Sequence, residues 1–404
     1  MNDSLWNKKT FCPLPWNSIY LQPDGEIDSC CVSKNNLGNI NKISIEQAIF
    51  GAKNIEIKNQ ISNNIVPEGC KVCHPINHTR EEFNYDVTLK EWYKKLLKNG
   101  DRKFYNKTEN FELKYFDLRL KNTCNFGCVY CGPALSSVRE IEEIGLPIVE
   151  RGITSDIINQ PIIKIAQNKI DSVYRFFEKH AHTLEVLYLA GGEPLYIKEN
   201  IHFLEKLYEV NPNCEIRVNT NLSLINENKI FESIMKFKNT FWTVSVDDMH
   251  ERFNYIRYKG NWNIFLNNLL KLKELVSVHK IAFSMVFCSL NAKTIFECIE
   301  FLLSKDFIEN HVSVRYINNG HGIVDAWDPK GLPKKYLDEV IQLIELKEYK
   351  SPNLNQQIRH IESILKLPYD ESLTYSVFKS FERFDSMRNL DSQTIFPEIY
   401  EYRK

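Results

Sequence analysis

Three cysteines stand close together in the segment "KNTCNFGCVYCGP", residues 121–133. Cys124, Cys128 and Cys131 follow the pattern Cys-x3-Cys-x2-Cys, and thiolates at such short intervals indicate a metal centre. A four-iron, four-sulfur cluster has four iron corners that are usually held by thiolates, so three ligands leave one iron open. Zinc is the alternative, because paired cysteines commonly bind it in closed four-ligand sites.

A second chemistry-bearing segment is "LAGGEPL", which directly follows a predicted strand. Gly191 and Gly192 allow another group to approach the backbone closely, and Glu193 offers a carboxylate to a cation. Alone, a Gly-Gly-Glu triplet is usually only a turn. We expect it at the same edge of a parallel sheet as the cysteine loop, because both follow strands.

A further group of cysteines lies near the start of the chain. Cys12, Cys30, Cys70 and Cys73 provide four thiolates, enough to close a zinc site or a complete iron–sulfur cluster, and Cys31 is an alternative to Cys30. Clustered cysteines in a chain without a signal-peptide pattern favour metal binding over disulfides. The other three, Cys214, Cys288 and Cys298, are predicted to be small buried hydrophobic residues.

The elements that must position these residues alternate between short β-rich runs and longer amphipathic stretches. This βα rhythm predicts a parallel sheet with helices outside it, doubly wound or curled into part of a barrel. The amino-terminal region differs, with a hairpin turning at Asp24-Gly25 and a helix over 44–58. The predicted strands are 112–120, 184–190, 215–221, 241–247, 280–287 and 312–317, and the predicted helices are 170–181, 199–209, 226–236, 261–276, 292–304 and 333–346.

Composition excludes several classes of protein. The chain has 404 residues with 43% hydrophobic and 25% charged residues, as expected of a globular protein that can enclose an active site. Its net charge of -1 lacks the basic footprint of a nucleic-acid binder. Because no apolar run has the length of a signal peptide or a membrane helix, we expect no membrane partner and a cytoplasmic location.

Taken together, these motifs resemble the radical S-adenosylmethionine (radical SAM) superfamily. The resemblance rests on "CNFGCVYC" and "LAGGEP", supported by "VNTN" (218–221), "SVDD" (245–248), "YIRY" (255–258) and the six βα units. It implies an α/β fold with a partial (β/α)6 TIM-like barrel, and a [4Fe-4S] cluster whose open iron is chelated by SAM. Electron transfer into SAM would then yield a 5'-deoxyadenosyl radical that removes a hydrogen atom from an unactivated carbon.

The resemblance also assigns roles to individual residues. Cys124, Cys128 and Cys131 would hold the SAM-binding cluster, and Tyr130 would lie beside the adenine. Gly191, Gly192 and Glu193 would contact the methionine amino group. The candidates for the ribose or carboxylate of SAM are Asn221, Ser245, Asp247 and Arg257, with Asn291 a weaker one.

The front cysteines are similar to the Twitch module, the shorter relative of the SPASM domain, which holds an auxiliary [4Fe-4S] cluster; zinc is the alternative. Such modules usually follow the barrel, whereas these cysteines precede it. The implied domains are a Twitch-like domain over 1–89, a linker helix over 90–111, the barrel over 112–320 and a helical extension over 321–404.

These features predict a radical SAM enzyme that acts on a peptide or peptide-like substrate and passes an electron to the auxiliary cluster. The outcome would be oxidation, cross-linking or cyclisation, with flavodoxin or ferredoxin as the electron donor. One alternative is a dehydrogenase of a small molecule such as a sugar alcohol, and another is an epimerase with Cys288 as hydrogen donor. A zinc or iron–sulfur binding protein without turnover is the remaining alternative.

Overall fold

The structure, a computed structural model, describes residue 8 and residues 10–73, 93, 102–144, 164–317, 327–368 and 371–403. Its strands are β1 Ser18–Leu21, β2 Glu26–Asp28, β3 Gly38–Asn39, β4 Tyr115–Leu118, β5 Val186–Leu189, β6 Glu215–Thr220, β7 Thr240–Ser245, β8 Ile281–Phe287 and β9 Val312–Tyr316. Its helices are α1 Leu14–Asn17, α2 Ile45–Ile49, α3 Ala52–Ser62, α4 Ser137–Ile144, α5 Gln167–His180, α6 Asn200–Val210, α7 Lys229–Ile234, α8 His250–Ile256, α9 Trp262–Leu275, α10 Ile295–Ser304, α11 Lys334–Glu345, α12 Pro352–Leu365, α13 Glu371–Arg388, α14 Ser392–Ile395 and α15 Pro397–Tyr400.

The chain divides into two compact units. Unit 1 comprises Met1–Lys121, Ile163–Val218 and Asn228–Thr240. Unit 2 comprises Asn122–Ile162, Asn219–Glu227 and Phe241–Lys404. Each is described by itself below.

Unit 1 contains a sheet in the order β3-β2-β1-β4-β5-β6. The β1–β2 hairpin forms as predicted, and Gly25 at its turn has φ +89°, a value that favours glycine. Strand β1 then pairs in parallel with β4, so the hairpin extends the sheet of βα units. One face is apolar and buried: Phe116 lies between Ile19 and Leu187 in register and packs against Phe176 and Phe177 of α5.

The opposite face of the same sheet is polar. Tyr20, Asp117, Tyr188 and Arg217 lie side by side in register on four neighbouring parallel strands. Because side chains two residues apart share a face, Arg119 belongs to this face as well. We call this set of five residues the polar face.

Unit 2 contains β7, β8 and β9 in that order, all parallel. Val244, Phe283 and Val312 lie in register on its buried face. There the ring of Phe283 packs against that of Phe307, with 4.9 Å between the ring centroids. The predicted helices after residue 347 form as α12 to α15. Helix α12 is joined to β9 by a hydrogen bond of 2.7 Å from the Val314 amide to Gln357.

Each of the six predicted βα strands forms within two or three residues of its predicted bounds. The single helix predicted over 44–58 was wrong, since two helices, α2 and α3, meet at Phe50 and Gly51. Ser44 and Gln47 form a capping box that starts α2, and Gly51 is extended at ψ 157°, which interrupts the helix. Half of the predicted linker helix over 90–111 lies outside the described residues, and the described part includes the short helix Arg102–Asn106.

Candidate metal centre

The cysteine loop in unit 2 is held by backbone hydrogen bonds on both sides of its second cysteine. The amides of Gly127 and Val129 each donate at 2.9 Å, to the carbonyls of Tyr258 and Ile256. The loop therefore lies against the end of α8 and the residues just after it, which together form the predicted "YIRY" motif. Cys128 is buried, whereas Cys124 and Cys131 are half-buried.

Tyr130, Asp247 and Arg257 meet in a buried network beside this loop. The Tyr130 hydroxyl donates to Asp247 Oδ2 at 2.5 Å, and Arg257 Nη2 lies 2.9 Å from the same oxygen. The Val286 amide donates to Asp247 Oδ1 at 2.8 Å, so both carboxylate oxygens accept hydrogen bonds. Burial raises the pKa of Tyr130, so this hydroxyl stays protonated and acts as a donor.

Arg257 links this network to the second cysteine. Its Nη1 lies 3.9 Å from the Cys128 sulfur, and its Nε is buried without a hydrogen-bond partner among the described residues. Burial lowers the pKa of Arg257, but the neighbouring acidic groups, Asp247 first among them, more than offset this and leave the pKa above its ordinary value. A permanent cation with an unused donor beside a thiol suits a site for an anionic group.

Two other predicted residues support the loop rather than form this network. Asn221 donates to Asn125 Oδ1 at 3.0 Å, and Asn125, within the Cys-x3-Cys gap, donates to Ser223 at 2.8 Å. Asn291 donates to the Asp247 carbonyl at 2.9 Å and thereby fixes the turn after β7. Ser245 donates to Asn219 at 3.3 Å, apart from these contacts.

The Gly-Gly-Glu turn in unit 1 follows β5 and contacts the loop that follows the neighbouring strand β4. The Gly192 amide donates to the Lys121 carbonyl at 3.1 Å, and Gly191 has φ +111°. A Cβ at Gly191 would lie 3.0 Å from that carbonyl, so the close approach requires glycine. Glu193 is buried and accepts a hydrogen bond of 3.1 Å from the Leu195 amide.

The front cysteines also lie in unit 1, around the β1–β2 hairpin. Cys12 and Cys30 pack against a buried cluster that includes Tyr115 and Val186. Cys70 lies on the short helix Glu68–Cys73 and accepts a hydrogen bond of 3.2 Å from Asn35. Burial, with a smaller contribution from the charge of Cys12, raises the pKa of Cys70 to about 12.

The donor sets fit iron–sulfur clusters in chemistry: three thiols on one loop, and a separate set of four or five thiols in front. Among the described residues, no three His, Cys, Asp or Glu side chains are already gathered into an ion site. The ligand sets and the roles of individual residues toward SAM stay predictions.

Cys214, Cys288 and Cys298 are fully or almost fully buried, as predicted for small hydrophobic residues. No helix in the described part of the chain combines the length and apolarity needed to cross a membrane.

Sequence reasoning missed several residues that the structure brings to these sites. Asp117 and Arg119 form a two-pronged ion pair at 2.9 and 3.0 Å on the polar face. The alternation in "YFDLRL" was a usable signal, because it places both charges on one side of β4. Trp327 and Arg388 donate hydrogen bonds to carbonyls of the cysteine loop. The sequence contains no local pattern that predicts these bonds, because the two residues lie 198 and 261 positions from their partners.

Comparisons with known proteins find two matching domain families. Residues 118–302 match the model of the radical SAM superfamily. The predicted fold class, with a partial (β/α)6 barrel, is thereby confirmed, and the domain implies a [4Fe-4S] cluster with SAM.

The region in front of it, residues 12–74, matches the SPASM model, an iron–sulfur cluster-binding domain. This match covers all five front cysteines and implies auxiliary iron–sulfur binding there. The chain thus has the predicted unusual order, with the auxiliary domain ahead of the barrel.

Solved structures give weaker likenesses. One described as native anSMEcpe with bound AdoMet has a TM-score of 0.36 and 17% identity, and covers 56% of this chain. The form with bound AdoMet and Kp18Cys peptide has a TM-score of 0.36 and 19% identity, and the match covers 56% of this chain. A structure of TYW1 with a lysine-pyruvate adduct bound has a TM-score of 0.32 and 14% identity, and the match covers 64% of this chain. The match spans 57% of each of those two anSMEcpe chains and 82% of the TYW1 chain. No curated protein matches the chain.

The network around Asp247 should be a major contributor to the stability of unit 2. Replacing Asp247 by asparagine leaves the Arg257 guanidinium buried without its counter-charge, which typically costs about 3–5 kcal/mol. We expect the free energy of unfolding, measured by urea titration, to fall by that amount. Asp306→Asn is the control, because Asp306 is 91% exposed in its pair with Lys273 and should contribute at most about 1 kcal/mol. Equal effects of the two changes would contradict the role given to Asp247.

Proposed function

We propose that this protein is a radical SAM enzyme that removes a hydrogen atom from a peptide or peptide-like substrate, and that its auxiliary cluster accepts the electron left behind. The observation that carries the proposal is the presence of two cysteine sets in one chain, one within each matched cluster-binding domain. The first set has three thiols and leaves a position for SAM, while the second has enough thiols to close a cluster that only moves electrons.

Bound at the loop, the cluster and SAM would supply a 5'-deoxyadenosyl radical, using one electron from a flavodoxin- or ferredoxin-type donor. A substrate that gave up one hydrogen atom to this chemistry, and then one electron and one proton, would be oxidised by two electrons in all. The hydrogen atom would end on 5'-deoxyadenosine and the electron would go to the auxiliary cluster. Dehydrogenation, cross-linking and cyclisation share this balance.

Within this proposal, Cys124, Cys128 and Cys131 hold the SAM-binding cluster. Arg257 donates to an anionic group beside Cys128 through its unused Nε, and Tyr130 is fixed by Asp247 as a wall of the SAM site. Glu193 and the Gly191–Gly192 backbone bind the methionine amino group. These residues position SAM, and the buried surroundings of Cys128 and Tyr130 keep water from a reactive radical.

We assign the polar face of unit 1 to substrate contact. Arg119 lies 4.7 Å from the Tyr20 ring and 6.0 Å from the Tyr188 ring, and its guanidinium is paired with Asp117. Arg217 is likewise paired with Glu215. Since the charges of this face are paired one to one, it suits an uncharged polar group, such as the backbone amides of a peptide.

The same face lies next to the front cysteines, which supports the role of electron acceptor. Tyr188 and Cys30 pack against one buried cluster, and the rings of Tyr188 and Tyr115 are stacked at 6.5 Å. An electron from a substrate held on this face would have a short path to the auxiliary cluster. Since Cys12, Cys30, Cys70 and Cys73 suffice for one cluster, with Cys31 as the possible substitute for Cys30, we propose the shorter, Twitch-like form of the domain.

A deuterium transfer experiment tests the substrate class in a mixture of cellular molecules. The holoenzyme is incubated with SAM, dithionite and an extract of source cells grown on deuterated amino acids and sugars. We expect 5'-deoxyadenosine that carries one deuterium, detected by mass spectrometry, and we expect the transfer to disappear after the extract is digested with proteases. Transfer that survives digestion would favour the alternative, oxidation of a small molecule such as a sugar alcohol, whose hydroxyls also suit the polar face.

The epimerase alternative makes a separate prediction for Cys288. Burial raises the pKa of this thiol, so it is protonated, as hydrogen-atom donation requires, but it is also fully buried. We expect Cys288→Ala to leave deuterium transfer and product mass unchanged, because oxidation needs no returning hydrogen. Cys298→Ala, at another fully buried cysteine, is the control. Loss of product with Cys288→Ala alone, together with solvent deuterium in the wild-type product, would favour epimerisation instead.

A further inference from the structure

The carbonyls of the cysteine loop accept hydrogen bonds from side chains outside the matched radical SAM region. Arg388 Nη2 donates to the Gly127 carbonyl at 2.7 Å, and Trp327 Nε1 donates to the Val129 carbonyl at 3.1 Å. These carbonyls lie on either side of Cys128. Both donors come after residue 302, where the match to the radical SAM model ends.

A third donor from α4 completes the set. Arg139 Nε donates to the Cys131 carbonyl at 3.1 Å. The carbonyls of residues 127, 129 and 131 therefore each have a buried side-chain donor, and the loop is fixed along its length. The side chains of Arg139, Trp327 and Arg388 are all buried.

The two guanidinium groups are themselves held rigidly. Glu142 accepts from Arg388 Nε and Nη2 at 3.0 and 2.8 Å and also from Arg139. The Arg388 guanidinium lies 4.2 Å from the Tyr258 ring and 4.3 Å from the Phe384 ring. Arg139 lies 4.7 Å from the same Phe384 ring. A side chain with so many partners cannot move away from the loop without breaking several of them.

The charged groups behind the loop form one cluster. Arg139, Arg383 and Arg388 meet Glu142 and Glu143 in surroundings with little solvent. A cluster bound to this loop becomes more negative when it is reduced. Buried positive charge and hydrogen bonds near a cluster favour its reduced form, because they stabilise the added negative charge.

We propose that Arg388, assisted by Trp327, is a positioning residue of the SAM-binding cluster: it fixes the cysteine loop and raises the reduction potential of the cluster. This inference rests on the proposed function, since it takes the cluster to be bound at Cys124, Cys128 and Cys131. It makes helix α13, which ends at Arg388, part of the redox site.

The test is a redox titration of the full-length holoenzyme followed by electron paramagnetic resonance. The signal that changes when SAM is added identifies the SAM-binding cluster and separates it from the auxiliary cluster. In Arg388→Gln we expect the midpoint potential of this signal to shift to a lower value, while the auxiliary signal keeps its potential. Trp327→Phe keeps the ring but loses the N–H donor, so a smaller shift in the same direction is expected.

Two further variants make the result decisive. Arg403→Gln, at an exposed pair with Glu382, is the matched control and should leave both potentials unchanged. Arg388→Lys keeps the positive charge and should have most of the wild-type midpoint potential. This variant still tests the inference if Arg388→Gln loses its iron. The inference is overturned if Arg388→Gln binds full iron at the wild-type potential, or if the lysine variant behaves like the glutamine variant. A wild-type protein with no SAM-sensitive signal would instead overturn the proposed function itself.

Discussion

Replacing Cys124, Cys128 and Cys131 together by alanine should abolish the formation of 5'-deoxyadenosine and leave about four irons per chain. The three thiols are the predicted ligands of the cluster that binds SAM, whereas the front cysteines lie in the separate SPASM match. The measurement combines iron analysis with chromatographic detection of 5'-deoxyadenosine after anaerobic reconstitution with dithionite.

The matched control is Cys214→Ala with Cys298→Ala, which removes two buried cysteines outside both sets. These changes should preserve SAM cleavage and about eight irons per chain. If the triple variant instead loses all of its iron, the assignment of the front cysteines to an iron–sulfur cluster is wrong.

The converse change, Cys12, Cys30, Cys70 and Cys73 to alanine, should leave SAM cleavage in place and remove about four irons. With no acceptor for the second electron, 5'-deoxyadenosine would still form but the oxidised product would not accumulate. Product analysis uses the deuterated extract, in which transfer to 5'-deoxyadenosine persists while the two-electron oxidised species is lost. Wild-type protein with zinc bound in place of the second set of irons would contradict this account.

Iron analysis of single variants can also show whether Cys30 or Cys31 is the ligand. The thiols are close enough to hydrogen-bond, and that bond is the largest cause of the raised pKa of Cys30. Cys30 packs together with Cys12 against the cluster of Tyr115 and Val186, which favours it as the ligand. We therefore expect Cys30→Ala, and not Cys31→Ala, to release about four irons.

The elements of the barrel could be predicted from sequence because their signals are local. A buried parallel strand such as β8 is a short run of apolar and β-branched residues, and the amphipathic helix α9 follows a 3.6-residue period. The cysteine spacing and the Gly-Gly-Glu turn are local as well. Gly191 is needed at its position for a backbone reason, a positive φ beside the Lys121 carbonyl.

Several contacts that the sequence did not predict are made by residues far apart in the chain, and others are pairings between residues that are close in sequence. The bond of Arg388 to Gly127 joins residues 261 positions apart, and nothing in either segment alone predicts it. The sequence motif likewise placed Asp247 and Arg257 among the candidates for SAM, but not in an ion pair with each other. That pair leaves Asp247 engaged by the protein and only part of Arg257 available to a ligand.

The division of the helix predicted over 44–58 has a local cause that periodicity does not capture. The apolar spacing continues through Phe50 and Gly51, yet the extended Gly51 starts a new helix. A Cβ on Gly51 would lie 2.6 Å from the Gln47 carbonyl, so the break depends on glycine at that position. Such a break redirects the chain without changing its hydrophobic pattern.

Anaerobic reconstitution of the wild-type chain with iron and sulfide, followed by dithionite and SAM, tests the central claim most directly. The account predicts about eight irons per chain and 5'-deoxyadenosine that requires both dithionite and SAM. A chain that binds about eight irons but forms no 5'-deoxyadenosine would contradict it.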